Sequence, residues 1–109
     1  MKFKEAVTYD DMLLVPQYSD ITSRSEVDIG SYLGEKKFTL PIIASPMDTI
    51  SESAMAKVMG NLGGLAVLHR YNSIDEQQKM AHEVVSHADW SGQVAAAIGV
   101  TGDYLERAE

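Results

Sequence analysis

Three short apolar blocks punctuate the chain, at residues 38–44, 65–68 and 94–98. Continuous apolar runs of this length are typical of strands buried on both faces of a sheet. Between the blocks, apolar residues recur at helical spacing over residues 51–62 and from Ile74 to about Ser86, which predicts two amphipathic helices. A third helix is predicted to begin near Asp103. This order of elements predicts parallel strands joined by crossover helices.

Sequence signals mark the ends of the predicted helices. Ser51 is a candidate N-cap for the first helix, and Gly63 with Gly64 ends it. Ser73 and Glu76 form a capping box at the second helix, in which hydroxyl and carboxylate each satisfy a backbone amide.

The first third of the chain follows a different pattern. Residues 8–19 combine a polar turn, a short apolar run and Pro16, which predicts a short strand or an extended arm. Residues 19–37 are polar and interrupted by glycines, as in a loop or a hairpin. We therefore divide the chain into an N-terminal arm and hairpin or loop region, 1–37, and one truncated domain of three βα units, 38–109.

Two α/β architectures fit successive βα units, namely an open doubly wound sheet and a closed barrel of eight units. The pattern does not choose between them. In both, the ligand lies beyond the carboxyl ends of the strands. The segments expected to form a site are residues 45–49, 69–72 and 99–103.

Length, charge and cysteine content exclude several classes of function. The 109 residues fall far short of the roughly 250 of a complete barrel. A formal charge of -7 argues against nucleic acid or an anionic membrane as partner, because both are bound mainly through clustered lysine and arginine. The chain has no cysteine, and hence no disulfide or cysteine nucleophile. Since no secretory signal or membrane span is recognisable, we expect a cytoplasmic protein.

Two stretches carry a more specific resemblance. The first joins Thr-Tyr-Asp-Asp-Met-Leu-Leu-Val-Pro at 8–16 to Ser-Arg-Ser-Glu-Val-Asp at 23–28. The second joins Leu-Pro-Ile-Ile-Ala-Ser-Pro-Met-Asp-Thr at 40–49 to Gly-Gly-Leu-Ala-Val-Leu-His-Arg at 63–70 and Ser-Ile-Asp-Glu-Gln at 73–77. In this order they resemble the opening and the first two barrel units of the IMP dehydrogenase/GMP reductase family.

The resemblance implies a TIM (β/α)8 barrel, of which this chain holds only the N-terminal βα units. It implies an oxidoreductase that converts IMP to XMP with NAD, or the sister enzyme that reduces GMP to IMP with NADPH. In this family the catalytic cysteine and the dehydrogenases' monovalent cation site lie further along the chain. We therefore expect no catalytic residue here and no activity of the chain alone. The family also implies a purine nucleotide ligand and a homotetramer.

Two details bear on the choice between the sister enzymes. The common dehydrogenase arrangement inserts a pair of CBS modules between the second helix and the third strand, where this chain has only a few residues. We therefore expect a form without that regulatory module. Ser45 followed by Pro46 favours the dehydrogenase, whereas the preference for NAD or NADP stays open. Trp90 in the short link is expected to anchor it to the barrel wall.

Ser45 and Met47 are the candidate substrate-binding residues. The resemblance implies that the Ser45 hydroxyl faces the ribose-phosphate side of IMP and that Met47 packs on the purine. The alternative is a plain strand-to-helix turn. For the next two residues, Asp48 and Thr49, capping the helix is the preferred role.

Arg70 and Thr101 are the candidate cofactor-binding residues. The pair His69-Arg70 closes the second strand, where a cation could meet a phosphate, although an ordinary strand-end pair facing solvent or a neighbouring subunit is slightly preferred. Thr101 lies where the resemblance places the dinucleotide's adenosine, but its flanking glycines more simply permit a tight turn. We expect no metal site.

Three functions are compatible with the sequence. The first is the N-terminal portion of an IMP dehydrogenase-like oxidoreductase, and the second is the corresponding part of a GMP reductase. The third is a noncatalytic short homologue that binds a full-length enzyme and alters its assembly.

Overall fold

The computed structural model describes residues 3–87 and 92–109, so Trp90 lies outside the described residues. Two short 3-10 turns, Tyr9–Asp11 and Arg24–Glu26, precede the main elements. In chain order these are β1 (Ser31–Leu33), β2 (Lys36–Phe38), β3 (Ile43–Ala44), α1 (Ser53–Asn61), β4 (Leu65–Leu68), α2 (Ile74–Val85), β5 (Gln93–Ala96) and α3 (Tyr104–Ala108). No helix in the described part is long and apolar enough to cross a membrane.

A three-stranded parallel sheet, ordered β3-β4-β5, forms the centre of the fold. Ala44 pairs with Ala66, which in turn pairs with Val94. Helices α1 and α2 connect neighbouring strands, and β4 has the bounds that its apolar block predicts. The predicted α/β arrangement of parallel strands with crossover helices is therefore confirmed.

The core lies between this sheet and the two crossover helices. Its buried members are Ala56 of α1, Val84 of α2, and Ala66 and Leu68 of β4. Because side chains alternate along a strand, Ala66 and Leu68 share the face that packs against the helices. On β3 the residue with this orientation is Ala44, whereas Ile43 points to the opposite face and is half exposed.

The predicted strand over residues 38–44 is wrong in two respects. Phe38 ends β2 of the hairpin, and β3 is confined to Ile43–Ala44. Pro41 has no amide hydrogen to donate, and the Leu40 amide donates instead to the Gly63 carbonyl at 3.1 Å. The chain therefore bends between the two strands. Strand β3 is also not buried on both faces in the described part of the chain, because Ile43 is half exposed.

The first third of the chain is a hairpin preceded by an exposed arm. Strands β1 and β2 pair antiparallel, with Gly34 in the left-handed region at the turn (φ 60°), which confirms the hairpin alternative. The arm has no strand within residues 8–19, and Leu14 is 99% exposed. The radius of gyration is accordingly 18.3 Å, against about 13 Å for a globular domain of ~100 residues.

The helix ends confirm one predicted cap and correct another. Ser73 and Glu76 form the expected box: the Glu76 amide donates to Ser73 Oγ at 3.2 Å, and the Ser73 amide donates to Glu76 Oε2 at 2.9 Å. Helix α1 starts at Ser53 with Glu52 as its N-cap and no side-chain cap, so the capping roles of Ser51, Asp48 and Thr49 are wrong.

Candidate functional site

Three loops meet at the carboxyl edge of the parallel sheet. They begin at Ser45 after β3, at His69 after β4 and at Ala97 after β5. The Ala97 amide donates to the Leu68 carbonyl at 3.0 Å, which extends the pairing of β4 and β5 into this edge. All four candidate residues, Ser45, Met47, Arg70 and Thr101, lie on these loops and are exposed.

The β3–α1 loop is held by its own backbone. The Met47 carbonyl accepts from the amides of Ile50 (3.3 Å) and Ser51 (2.9 Å), and the Ser51 hydroxyl donates to the Ser45 carbonyl. Thr49 has φ 62°, a left-handed conformation that is strained for a β-branched residue. These contacts fix the course of the loop through main-chain atoms, and they leave the side chains of Ser45 and Met47 exposed.

His69 is buried, so the prediction that His69-Arg70 is a pair facing solvent or a neighbour fails for the histidine. Its Nδ1 accepts from the Tyr71 amide at 3.2 Å, and its Nε2 lies 3.5 Å from Glu52 Oε1. An acceptor at Nδ1 places the proton of the neutral ring on Nε2, which faces the carboxylate. His69 therefore joins the β4–α2 loop to the N-terminus of α1.

Arg70 is exposed and extends across to the third loop. A Cβ added to Gly99 would lie 3.2 Å from Arg70 Cζ, so the guanidinium rests against the Gly99 backbone. Arg70 Cζ also lies 5.9 Å from the centre of the Tyr71 ring, within the range of a cation–π contact. The charge of Arg70 is thus held between the ends of β4 and β5.

The loop around Thr101 is the tight turn that its glycines predict. Gly99 and Gly102 have φ of 79° and 69°, so both occupy the left-handed region. Thr101 lies exposed between them and belongs to the same edge as Arg70.

Sequence reasoning missed Gln77 and Arg107, and it assigned Ser51 the wrong role. The Ser51 carbonyl accepts from the His69 amide at 3.3 Å, while the Gln77 side chain donates to the carbonyls of His69 and Ala97. Arg107 in α3 donates to Gln77 Oε1. The only available signal was a glutamine placed on the core-facing side of α2, where most residues are apolar.

A cavity of about 460 Å³ lies beside the β3–α1 loop; Asp48, Glu52, His69 and Asn72 are among the residues that line it. Neither Ser45 nor Met47 lines this cavity, although Asp48 and Asn72 come from the same two loops as the candidate nucleotide contacts. No group of three or more metal-binding side chains occurs within residues 3–87 and 92–109.

Comparison with known proteins identifies the family. The sequence-family model for the IMP dehydrogenase / GMP reductase domain matches residues 6–109. The chain belongs to this family. Its curated relatives include an inosine-5'-monophosphate dehydrogenase of Nitrosopumilus maritimus, 46% identical over 86 residues, and a GMP reductase of Leishmania donovani, 43% identical over 81 residues. These matches cover 78% and 73% of this chain, but only 17% and 16% of the relatives.

Two solved structures of family members also match this chain. An inosine 5' monophosphate dehydrogenase from Legionella pneumophila matches 95% of this chain and 31% of its own, with 38% identity and a TM-score of 0.78. A GMP reductase from Trypanosoma brucei, in complex with guanosine 5'-triphosphate, matches 72% of this chain and 19% of its own, with 46% identity and a TM-score of 0.66. The predicted membership of an oxidoreductase family is confirmed, and the chain spans under a third of the length of these relatives.

Proposed function

We propose that this chain is the N-terminal part of an IMP dehydrogenase-like barrel and contributes one sector of its nucleotide site. The observation that carries the proposal is that Ser45, Met47, Arg70 and Thr101 are all exposed at the carboxyl edge of one parallel sheet. That edge is where barrel enzymes bind substrate. Residues 38–109 would be the first three units of the (β/α)8 barrel, and residues 1–37 its N-terminal arm and hairpin.

In this proposal the first loop binds the mononucleotide. The Ser45 hydroxyl serves the ribose-phosphate side of IMP, and the Met47 thioether packs on the purine. Both side chains project from a loop whose main chain is fixed by the hydrogen bonds at Met47 and Ser51. A fixed main chain lowers the entropy cost of ordering the loop when the nucleotide binds.

The dinucleotide contacts would come from the other two loops. Arg70 offers an exposed guanidinium whose planar fork suits a pyrophosphate, and its placement against Gly99 brings it next to the Thr101 turn. These residues fit an anionic cofactor such as NAD or NADP, which accepts or supplies hydride when bound. This chain's part is to bind and orient, because the cysteine nucleophile, like the monovalent cation site, would belong to the rest of the barrel.

The wider setting follows from the same proposal. The assembled enzyme would work in the cytoplasm as a homotetramer of the kind implied by the family. A net charge of -7 disfavours nucleic acid and anionic membranes as partners.

A nucleotide titration tests the first loop directly. The methionine methyl groups are labelled with ¹³C and IMP is added to the full chain. We expect the Met47 resonance to shift while that of Met12, in the exposed arm, stays fixed as an internal control. A Met47 resonance that does not move with IMP or GMP, both in the chain alone and in its mixture with the remainder of a homologous dehydrogenase, would contradict the placement of the purine.

Complementation tests the reaction. The chain is mixed with the remainder of a homologous dehydrogenase that lacks the matching segment, and NAD reduction is followed after IMP is added. Turnover above that of the remainder alone supports the dehydrogenase. Turnover only with GMP and NADPH would instead indicate the reductase. Inhibition of an intact homologue, without rescue of the remainder, would indicate the noncatalytic binding protein.

A further inference from the structure

Four buried polar side chains lie beneath the three loops of the carboxyl edge. Ser51, His69 and Gln77 are 1%, 3% and 4% exposed, and they are the buried polar residues of the described chain. The Arg107 side chain joins them at 5% exposed. A buried polar group without a hydrogen-bond partner destabilises the folded state. The partners of these side chains therefore restrict how the loops above them can be arranged.

Gln77 joins the ends of two strands. Its Nε2 donates to the His69 carbonyl at 3.0 Å and to the Ala97 carbonyl at 2.9 Å, which uses both amide hydrogens. Those carbonyls belong to the residues that directly follow β4 and β5. One side chain from α2 therefore ties together the first residues of two loops, the Arg70 loop (residues 69–73) and the Thr101 loop (residues 97–103).

Arg107 ties the same loops at their far ends. Its Nη1 donates to Gln77 Oε1 at 3.1 Å, and its Nη2 donates to the Asn72 carbonyl at 3.0 Å and to Asp103 Oδ2 at 2.7 Å. The hydrogen bond from Arg107 holds the pKa of Asp103 below its ordinary value. Asn72 is the second-last residue of the Arg70 loop and Asp103 is the last residue of the Thr101 loop, so each loop is held near both ends.

We infer that Gln77 and Arg107 are positioning residues that fix the Arg70 loop relative to the Thr101 loop and thereby shape an anion site between them. Neither side chain reaches that site itself, because both lie beneath the loops. The shape of this site depends on the relative position of the loop that carries Arg70 and the loop that carries Thr101. The affinity for a pyrophosphate group depends on the same relative position. The inference about affinity rests on the proposed function, whereas the inference about geometry does not.

A matched pair of variants separates positioning from general stability. Gln77→Met keeps the length of the side chain and the net charge but removes all three hydrogen bonds. Gln78→Met makes the same change at the exposed neighbouring position. Arg107→Lys is the milder variant, since it keeps the charge but loses the two-pronged contact, and it serves if Gln77→Met does not fold. Circular dichroism checks the fold of each.

The geometric readout is the nuclear Overhauser effect between the Arg70 side chain and Gly99. We expect it in the wild type and in Gln78→Met, and we expect it to be lost in Gln77→Met or Arg107→Lys. The functional readout is the affinity for inorganic pyrophosphate. We expect a loss of about tenfold in the positioning variants, equivalent to one charge-assisted hydrogen bond, against little change in Gln78→Met.

Every outcome decides a point. If the Arg70–Gly99 contact persists in a folded Gln77→Met or Arg107→Lys chain, the positioning role is overturned. If the contact is lost while pyrophosphate affinity is unchanged, the pair positions the loops but does not shape the site. If the wild type shows no pyrophosphate binding but the contact is lost in the variants, the cofactor contacts in the proposed function fail and the positioning role stands.

Discussion

The guanidinium of Arg70 rests on the backbone of Gly99, so closely that a Cβ there would stand 3.2 Å from Arg70 Cζ. This contact joins the loop after β4 to the loop after β5. It depends on a residue that has no side chain and that also holds a positive φ of 79°.

Gly99→Ala should therefore weaken anion binding at the proposed site as well as the fold. The left-handed backbone costs an alanine about 1–2 kcal/mol, and the methyl group displaces the guanidinium. Gly102→Ala is the matched control, because Gly102 has φ 69° but nothing within 4 Å of the added Cβ. We expect similar losses in the free energy of unfolding and weaker pyrophosphate binding only in Gly99→Ala. Equal affinities in calorimetric titration would contradict the role of the Arg70–Gly99 contact.

Gly63→Ala should be the most damaging glycine substitution at the end of α1. Gly63 has φ 81°, and a Cβ there would lie 1.8 Å from Thr39 Oγ1. We expect a loss of more than about 2 kcal/mol in urea unfolding, from backbone strain and overlap together. Gly34→Ala carries the backbone strain alone, since nothing lies within 4 Å of its added Cβ. If Thr39→Ala does not partly rescue Gly63→Ala, the overlap is not the cause.

Thr49→Asn should stabilise the chain. Thr49 holds φ 62°, which a β-branched residue tolerates poorly and asparagine adopts more readily. We expect a gain of about 0.5–1 kcal/mol, measured as a higher midpoint of thermal unfolding. Thr22→Asn, in the exposed arm, should leave the midpoint unchanged. A lower midpoint for Thr49→Asn would mean that the threonine side chain makes a contact worth more than the strain.

Stability should fall in acid because several carboxylates are stabilised in their charged form. Hydrogen bonds from Ser73 lower the pKa of Glu76 below 4.5, and the hydrogen bond from Arg107 lowers that of Asp103 below 3.8. A depressed folded-state pKa contributes stability above the unfolded-state value, and this is lost as the pH falls through the folded-state value.

Urea midpoints measured from about pH 6 down to about pH 3 test this titration. The wild-type midpoint should decline on acidification, and it should decline less in Glu76→Gln, where the amide keeps the capping box but cannot titrate. Asp75→Asn, in the same first turn, is the control. If Glu76→Gln and the wild type lose stability in parallel, the capping carboxylate is not a source of the acid sensitivity.

Short sequence patterns correctly predicted the start of α2 and the bounds of β4, because each is determined by residues close together in the chain. Ser73 and Glu76 are three residues apart, so their capping box is recognisable in the sequence. It determines where α2 begins. The apolar block at β4 is likewise self-contained. By contrast, the bend at Pro41 depends on the Leu40 amide bonding to Gly63, which the pattern of residues 38–44 does not reveal.

The sequence predicted where the candidate site residues lie in the fold, but not the hydrogen bonds beneath them. Parallel strands bring their carboxyl ends together, so the sequence could place Ser45, Arg70 and Thr101 on one edge. The hydrogen bond between Arg107 and Gln77 joins residues 30 positions apart, and no local pattern marks it. Ser51 shows the converse, since a good capping residue type is used instead to hold the Ser45 carbonyl.

The first residue described after the link, Gly92, is seated on helix α1. A Cβ at Gly92 would lie 2.4 Å from Gly60 Cα, so two bare backbones touch there. The start of β5 is therefore held in place by its contact with α1. This contact does not depend on the number of residues between α2 and β5. A chain with this anchor could accept an added module immediately before Gly92 while the three loops at the opposite end of the sheet kept their geometry.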